Sequence, residues 1–273
     1  MKNKLLKFIA IILSAITVLS MTACNNGKEP NDQDNDNQVV VTFTEVDLTV
    51  NANTDYKIVI PESFTKYEEY AANELGLYLK ESTNANFPVV IDKGLEYDSD
   101  SKYISVGRTT LLTQSGVSVN ESELGTDGYV IKRDGNAVLL CGGSDRGTLY
   151  GVYEFLHLQV EWEAYAVDEI CYRKTANLKL LDFNVVDVPA LPTRHGGFWS
   201  AISDPYFAAK WKVAAGPGTL LFGGEQWYYY GHSMFRVVPP STYRAENPSW
   251  YSADGIQPCF TSEGFKKQYI ANA

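Results

Sequence analysis

Between residues 39 and 185, short β-branched runs alternate with amphipathic helical stretches, and this alternation narrows the fold more than any other feature of the chain. Val39 to Phe43 and Tyr56 to Ile60 read as strands bounded by Asn, Asp and Pro. Thr65 and Glu68 have the spacing of a capping box, and Tyr67, Ala71, Leu75, Tyr78 and Leu79 recur along one face behind it. Together they predict a helix over Thr65 to Ser82. Phe87 to Ile91 and Tyr103 to Val106 read as further strands, and Tyr129 to Lys132 with Val138 to Cys141 as a hairpin around Asp134-Gly135-Asn136. A second helix starts at Ser144 or Asp145 and puts Leu149, Val152, Tyr153 and Leu156 on one face. The expected fold class is α/β, a sandwich with a largely buried sheet.

The chain has 273 residues, enough for one or two domains, and at 45% hydrophobic and 21% charged it is globular rather than disordered. Its net charge of −10 lacks the basic footprint that phosphate backbones require, so nucleic acid is not an expected partner. Nor is an anionic membrane surface an expected partner, except through a covalent anchor.

Such an anchor is written at the N-terminus. Lys2, Lys4 and Lys7 precede an apolar run from Phe8 to Leu19 that is too short to span a bilayer, as in a signal peptide over residues 1–23. Met21-Thr22-Ala23-Cys24 resembles a bacterial lipobox, which implies cleavage before Cys24 and lipidation of that thiol. Residues 24–38 hold no large apolar side chain and read as a flexible tether. The expected location is the cell membrane, lipid-anchored and facing the exterior or periplasm. Ordinary cleavage near Ala23 is the competing reading. Cys141, Cys171 and Cys259 show no metal-ligand spacing, and Cys141 ends an apolar run, as a buried inert thiol would. Neither a metal nor a cofactor is expected.

Little in residues 39–185 suggests catalysis. Gly142-Gly143-Ser144-Asp145-Arg146-Gly147 matches neither phosphate-loop pattern and reads as a tight turn with a helix cap. His157 borders an apolar stripe and reads as a packed or half-exposed histidine.

Several blocks resemble a known family. Tyr70-Ala71-Ala72-Asn73-Glu74-Leu75 with Tyr78-Leu79, Asn86-Phe87-Pro88-Val89, Tyr103 to Gly107, Asp127-Gly128-Tyr129 and Arg146 to Leu156 stand in one order. That order is similar to the N-terminal α/β domain preceding the barrel in family 67 alpha-glucuronidases and family 20 hexosaminidases. Over residues 40 to 270 the chain more closely resembles the bacterial family called domain of unknown function 4838, which joins such a domain to a glycosidase-like barrel. The resemblance implies an α/β domain over 39–185 and the first strands and helices of an incomplete TIM barrel over 186–273. It also implies a carbohydrate partner.

Aromatic residues concentrate in that last segment. Trp199, Trp211, Trp227 and Trp250 fall there, with Tyr228-Tyr229-Tyr230, Tyr243 and Tyr251. Flat rings stack on the C–H faces of sugars, and they equally fill cores. Pro189 to Phe198 resembles the first barrel strand of family 20, where an arginine holds the substrate sugar. Arg194 takes that position, with His195 where the pattern has Gly. Gly231-His232-Ser233 resembles a barrel segment of the uncharacterised family, making His232 a candidate contact. The candidate substrate-binding residues are therefore Arg194, His232, Trp199 and Trp227. A triad built on Ser233 has no supporting motif.

Glycosidases need two carboxyl groups flanking the scissile bond. Asp204, Glu225 and Asp254 lie near aromatic residues but none carries a motif, so the catalytic residues stay unassigned. About 85 residues run from Pro189 to Ala273 where a full barrel takes about 250. Glu263 to Ala273 reads as the start of a helix without a cap. The expectation is the N-terminal, catalytically silent part of a surface-anchored protein of glycoside hydrolase type. The alternative is a non-enzymatic glycan-binding lipoprotein.

Overall fold

The computed structural model describes residues 42–191, 194, 199–214, 234–255 and 257–273. Its centre is a six-stranded sheet of order β10-β5-β6-β4-β2-β3. The strands are β2 (Lys57–Ile60), β3 (Val89–Ile91), β4 (Tyr103–Val106), β5 (Tyr129–Asp134), β6 (Ala137–Gly142) and β10 (Asn184–Asp187). β3, β2, β4 and β6 run parallel, with Ile58 opposite Val89 and Ile104 opposite Val138. β5 and β10 extend the sheet antiparallel, with Val130 opposite Cys141 and Val186. A separate ribbon pairs β1 (Phe43–Thr49) with β9 (Leu178–Leu181), and another pairs β7 (Glu163–Ala166) with β8 (Glu169–Cys171). The fold is mixed α/β, and among the described residues there is no closed barrel.

Two long helices cover one face of the sheet. α1 (Lys66–Thr83) opens on the expected capping box: Thr65 Oγ1 accepts from Glu68 N–H at 3.2 Å, and Glu68 Oε2 accepts from Thr65 N–H at 2.9 Å. Ala71, Leu75, Tyr78 and Leu79 are buried as the periodicity predicts. The short helices α2 (Thr110–Ser115) and α3 (Glu121–Leu124) follow β4. The second long helix, α4 (Asp145–Val160), is buried on nearly every side. Gln159, also buried, donates to Lys179 O and accepts from Leu181 N–H, tying β9 to α4. Val138 and Leu140 of β6 face the main core, whereas Leu139 and Cys141 pack with Leu112 on the opposite face. β6 is therefore buried throughout, as a central parallel strand should be. Burial pushes the Cys141 thiol up to about 11.

Most of the expected strand Val39 to Phe43 lies outside the described residues; the first described strand runs from Phe43 to Thr49, and its alternating exposure shows a ribbon with one wet face. One expectation is corrected. The last helix, α9 (Glu263–Asn272), does have a cap, because Ser262 Oγ accepts from Phe265 N–H. The segment resembling the first barrel strand lies largely outside the described residues. No described helix is long and apolar enough to cross a membrane.

The glycine-rich turn before α4 is a packing device. The N–H of Gly142 goes to Thr148 Oγ1, that of Gly143 to Gly128 O, and those of Arg146 and Gly147 to Ser144 Oγ, so four of the turn's backbone donors are used within the protein. A Cβ at Gly142 would collide with the backbone nitrogen of Thr148. Residues 234–273 carry α7 (Met234–Val237), α8 (Pro240–Tyr243), a short 3-10 turn over Pro248–Trp250, and α9. Val237, Val238, Tyr251 and Phe265 form their small core, with Trp250 and Tyr243 packed against it. Those aromatic residues are structural filler there.

Candidate binding cleft

The site grows from the segment just before residue 214. α5 (Trp199–Ser203) leads into α6 (Pro205–Lys210), which is capped by Asp204 with proline at its first position. Trp211 ends α6, and Lys212 then takes a left-handed φ of 53°, uncommon for a residue with a side chain. That turn points two lysines at different acids. Lys210 Nζ bonds Glu74 and lies 3.4 Å from Tyr153 Oη, and Tyr153 itself donates to Glu74 at 2.9 Å. Lys212 Nζ bonds Glu154 and lies 3.3 Å from Tyr129 Oη. Both ammonium groups also lie over tyrosine rings, at 5.3 Å from Tyr153 and 5.4 Å from Tyr129. Burial and the neighbouring carboxylates drive the Tyr153 and Tyr129 hydroxyls far above their ordinary range, so both are neutral donors.

Arg194 is committed in the same way. Its Nη2 pairs with Asp127 Oδ2 at 2.8 Å, Nη1 donates to Leu191 O at 3.1 Å and Nε to Lys212 O at 3.0 Å. Asp127, only 8% exposed, also accepts from Arg146 Nε at 2.6 Å on its other oxygen. Two of the blocks that carried the family resemblance therefore meet through this carboxylate, and Arg194 joins them. A cavity of about 310 Å³ lies beside the guanidinium, lined also by Tyr129, Tyr150, Asp187 and Lys212.

A second cleft, of about 340 Å³, opens between α4, β7 and the end of α6. Lys212 borders both. Tyr153 stacks on Trp162 at 5.0 Å, and the buried Trp162 Nε1 has no acceptor. Trp211 donates through Nε1 to Ala164 O at 2.7 Å while its side chain stays 46% exposed, and Tyr165 is 63% exposed. His157 Nδ1 and Glu163 Oε1 meet at 2.8 Å on the rim. Each carboxylate here has a cationic or histidine partner: Glu154 with Lys212, Glu163 with His157, and Glu74 behind them with Lys210. Such a site can stack and hydrogen-bond a ligand. Every acid in it is already engaged, which leaves it poorly suited to the proton shuttling a glycosidase needs.

Of the candidate substrate-binding residues that are described, Arg194 lines a cavity and Trp199 does not. Trp199 is 77% exposed at the start of α5 and lines neither cleft. Trp227, His232 and Cys24 lie outside the described residues, as do His195, Ser233 and Glu225. Asp204 caps α6, and Asp254 accepts from Ser252 Oγ. Among the described residues no cluster of His, Cys, Asp and Glu is arranged to hold a metal. Sequence reasoning missed Glu154, Glu163, Lys210 and Lys212, and counted Trp211 without placing it.

Residues 45–155, from β1 through most of α4, match the model of the glycosyl hydrolase family 67 N-terminus. No curated protein matches the chain. Among solved structures, a family GH115 4-O-methyl-alpha-glucuronidase with specificity for decorated arabinogalactans is 16% identical over 62% of this chain and 25% of its own, with a TM-score of 0.44. The family GH20 beta-N-acetylhexosaminidase of Streptomyces coelicolor is 13% identical over 57% and 26%, with a TM-score of 0.36. The chitobiase of Flavobacterium johnsoniae is 14% identical over 60% and 22%, with a TM-score of 0.34. The chain thus spans about a quarter of the length of these proteins. It carries a glycoside hydrolase-like N-terminal domain of mixed α/β fold.

Proposed function

We propose that the chain is the N-terminal part of a surface-anchored, carbohydrate-active protein of glycoside hydrolase type, silent in hydrolysis on its own. The match of residues 45–155 to the family 67 N-terminus carries this reading. In it, the leader over 1–23 exports the protein, Cys24 takes the lipid, and residues 24–38 hold the folded part away from the membrane. Residues 186–273 open a barrel of the kind found in the domain of unknown function 4838 family. Arg194, Trp199, Trp227 and His232 then belong to the sugar side of that barrel, and the carboxylate pair lies in strands beyond this segment. The pairing of Glu154, Glu163 and Glu74 supports the silence of this segment.

The test expresses residues 1–273 and the longer reading frame side by side, with labelled palmitate in the medium, and assays both on aryl glycosides and polysaccharides. Hydrolysis by the longer product only, with label lost in Cys24→Ser, is the expected result. Hydrolysis by residues 1–273 alone, or label retained in Cys24→Ser, overturns it. A second reading, a non-enzymatic glycan-binding lipoprotein, is favoured by one observation: the exposed rings of Trp211 and Tyr165 beside the cleft.

A further inference from the structure

We propose that the cleft between α4, β7 and Trp211 is a non-catalytic subsite for a neutral pyranose residue of a glycan. This rests on the carbohydrate role proposed above and adds a place and a ligand class on the α/β domain itself. Two rings flank the opening, those of Trp211 and Tyr165. The indole of Trp211 is anchored through Ala164 O and still presents nearly half its surface, so little side-chain freedom is lost when a sugar face stacks on it. The cleft that both residues line, about 340 Å³, is of ligand-pocket size.

The charges choose the ligand. Three basic groups, Lys210, Lys212 and His157, are each matched by a carboxylate, Glu74, Glu154 and Glu163. An acidic sugar would bring its own carboxylate beside Glu154 and Glu163 while the cations that could receive it are already paired. Hydroxyl groups meet no such obstacle. The carboxylates accept hydrogen bonds through oxygens left over from their ion pairs, since each carboxylate offers about four lone-pair sites. In the wall, the Trp162 ring stacks on Tyr153 and gives the cleft a fixed backing. A neutral pyranose combines apolar C–H faces with a hydroxyl rim, and the cleft presents the complement of both.

The experiment titrates the full chain with cellohexaose, xylohexaose and an arabinogalactan oligosaccharide, with polygalacturonate as the acidic counter-probe. Binding is read by tryptophan fluorescence and saturation-transfer NMR. The expected result is saturable binding of at least one neutral probe, weaker by about tenfold in both Trp211→Ala and Tyr165→Ala, a change of the size that ring contacts carry. Ile270→Ser, on exposed α9, should bind as the unaltered chain does. Tyr165 is largely exposed, so its variant stays informative even if Trp211→Ala fails to fold. Three outcomes overturn the proposal: no neutral probe binds, the Tyr165→Ala chain binds undiminished, or polygalacturonate displaces the neutral sugar. Any of these alongside hydrolysis by the longer protein would remove the subsite and leave the carbohydrate role intact.

Discussion

Asp127 shows how much one side chain can organise. Its two oxygens face two guanidinium groups, one from the helix that covers the sheet and one from the segment that follows the domain. Arg146 is nearly buried and Arg194 about one-fifth exposed, so the two halves of the arrangement differ in solvent screening. Asp127→Ala removes a carboxylate that both arginines share and should cost about 3 kcal/mol, the range for breaking a buried pair. Arg194→Ala removes the more exposed partner and should cost about 1 kcal/mol. Urea midpoints of the two variants check this, and equal losses would mean that the Arg194 link accounts for the whole effect of Asp127. The same residue limits what Arg194 offers a substrate, since its Nε, Nη1 and Nη2 all have protein acceptors.

Elements divide by whether their cause is local. The start of α1 is local: Thr65 and Glu68 satisfy each other's backbone donors three residues apart, so the sequence alone discloses them. Thr65→Ala should destabilise the protein by about 1 kcal/mol, measured as a shifted thermal midpoint, with the helix retained by its buried face. The hairpin was equally legible, because Gly135 supplies the left-handed φ of 59° that the first position of a tight turn requires. β7, β8, β9 and β10 were not: the equally short β2, β3 and β4 are dominated by Val, Ile and Tyr, whereas Glu, Ala, Lys, Asn and Asp dilute β7 to β10, which exist through their pairing partners. The stretch beyond Phe43 was passed over for a related reason: Glu45 and Asp47 alternate with the inward Val46 and Leu48, the weak pattern of a ribbon with one wet face. The cleft was the least legible part. Lys210 meets Glu74 across 136 positions and Lys212 meets Glu154 across 58, and no spacing rule encodes such pairs.

For the whole molecule, the buried phenols set an alkaline limit. Burial raises the Tyr56 hydroxyl from 10.0 to about 12 and raises those of Tyr70, Tyr78, Tyr129 and Tyr153 further. An acid whose folded-state pKa is raised is neutral in the native protein while the unfolded chain has already released the proton. The native state then holds more protons, and stability falls as pH rises. The loss begins near pH 10, where unfolded tyrosines ionise, and continues through about 12, steepening by about 1.4 kcal/mol per pH unit for each phenol held neutral. A chain of net charge −10 has no electrostatic reserve against further anions, which adds to the fall. Phenolate absorbance followed with urea midpoints from pH 9 to 12 should show a lag and then ionisation together with unfolding. Tyr56→Phe removes one of these protons at the cost of the hydrogen bond to Asn136 O, so it should be less stable at pH 8 and lose stability less steeply above pH 10. A gradual phenolate titration that follows the free tyrosine curve, with urea midpoints unchanged, would mean that the hydroxyls packed around α4 are reached by water in the native protein.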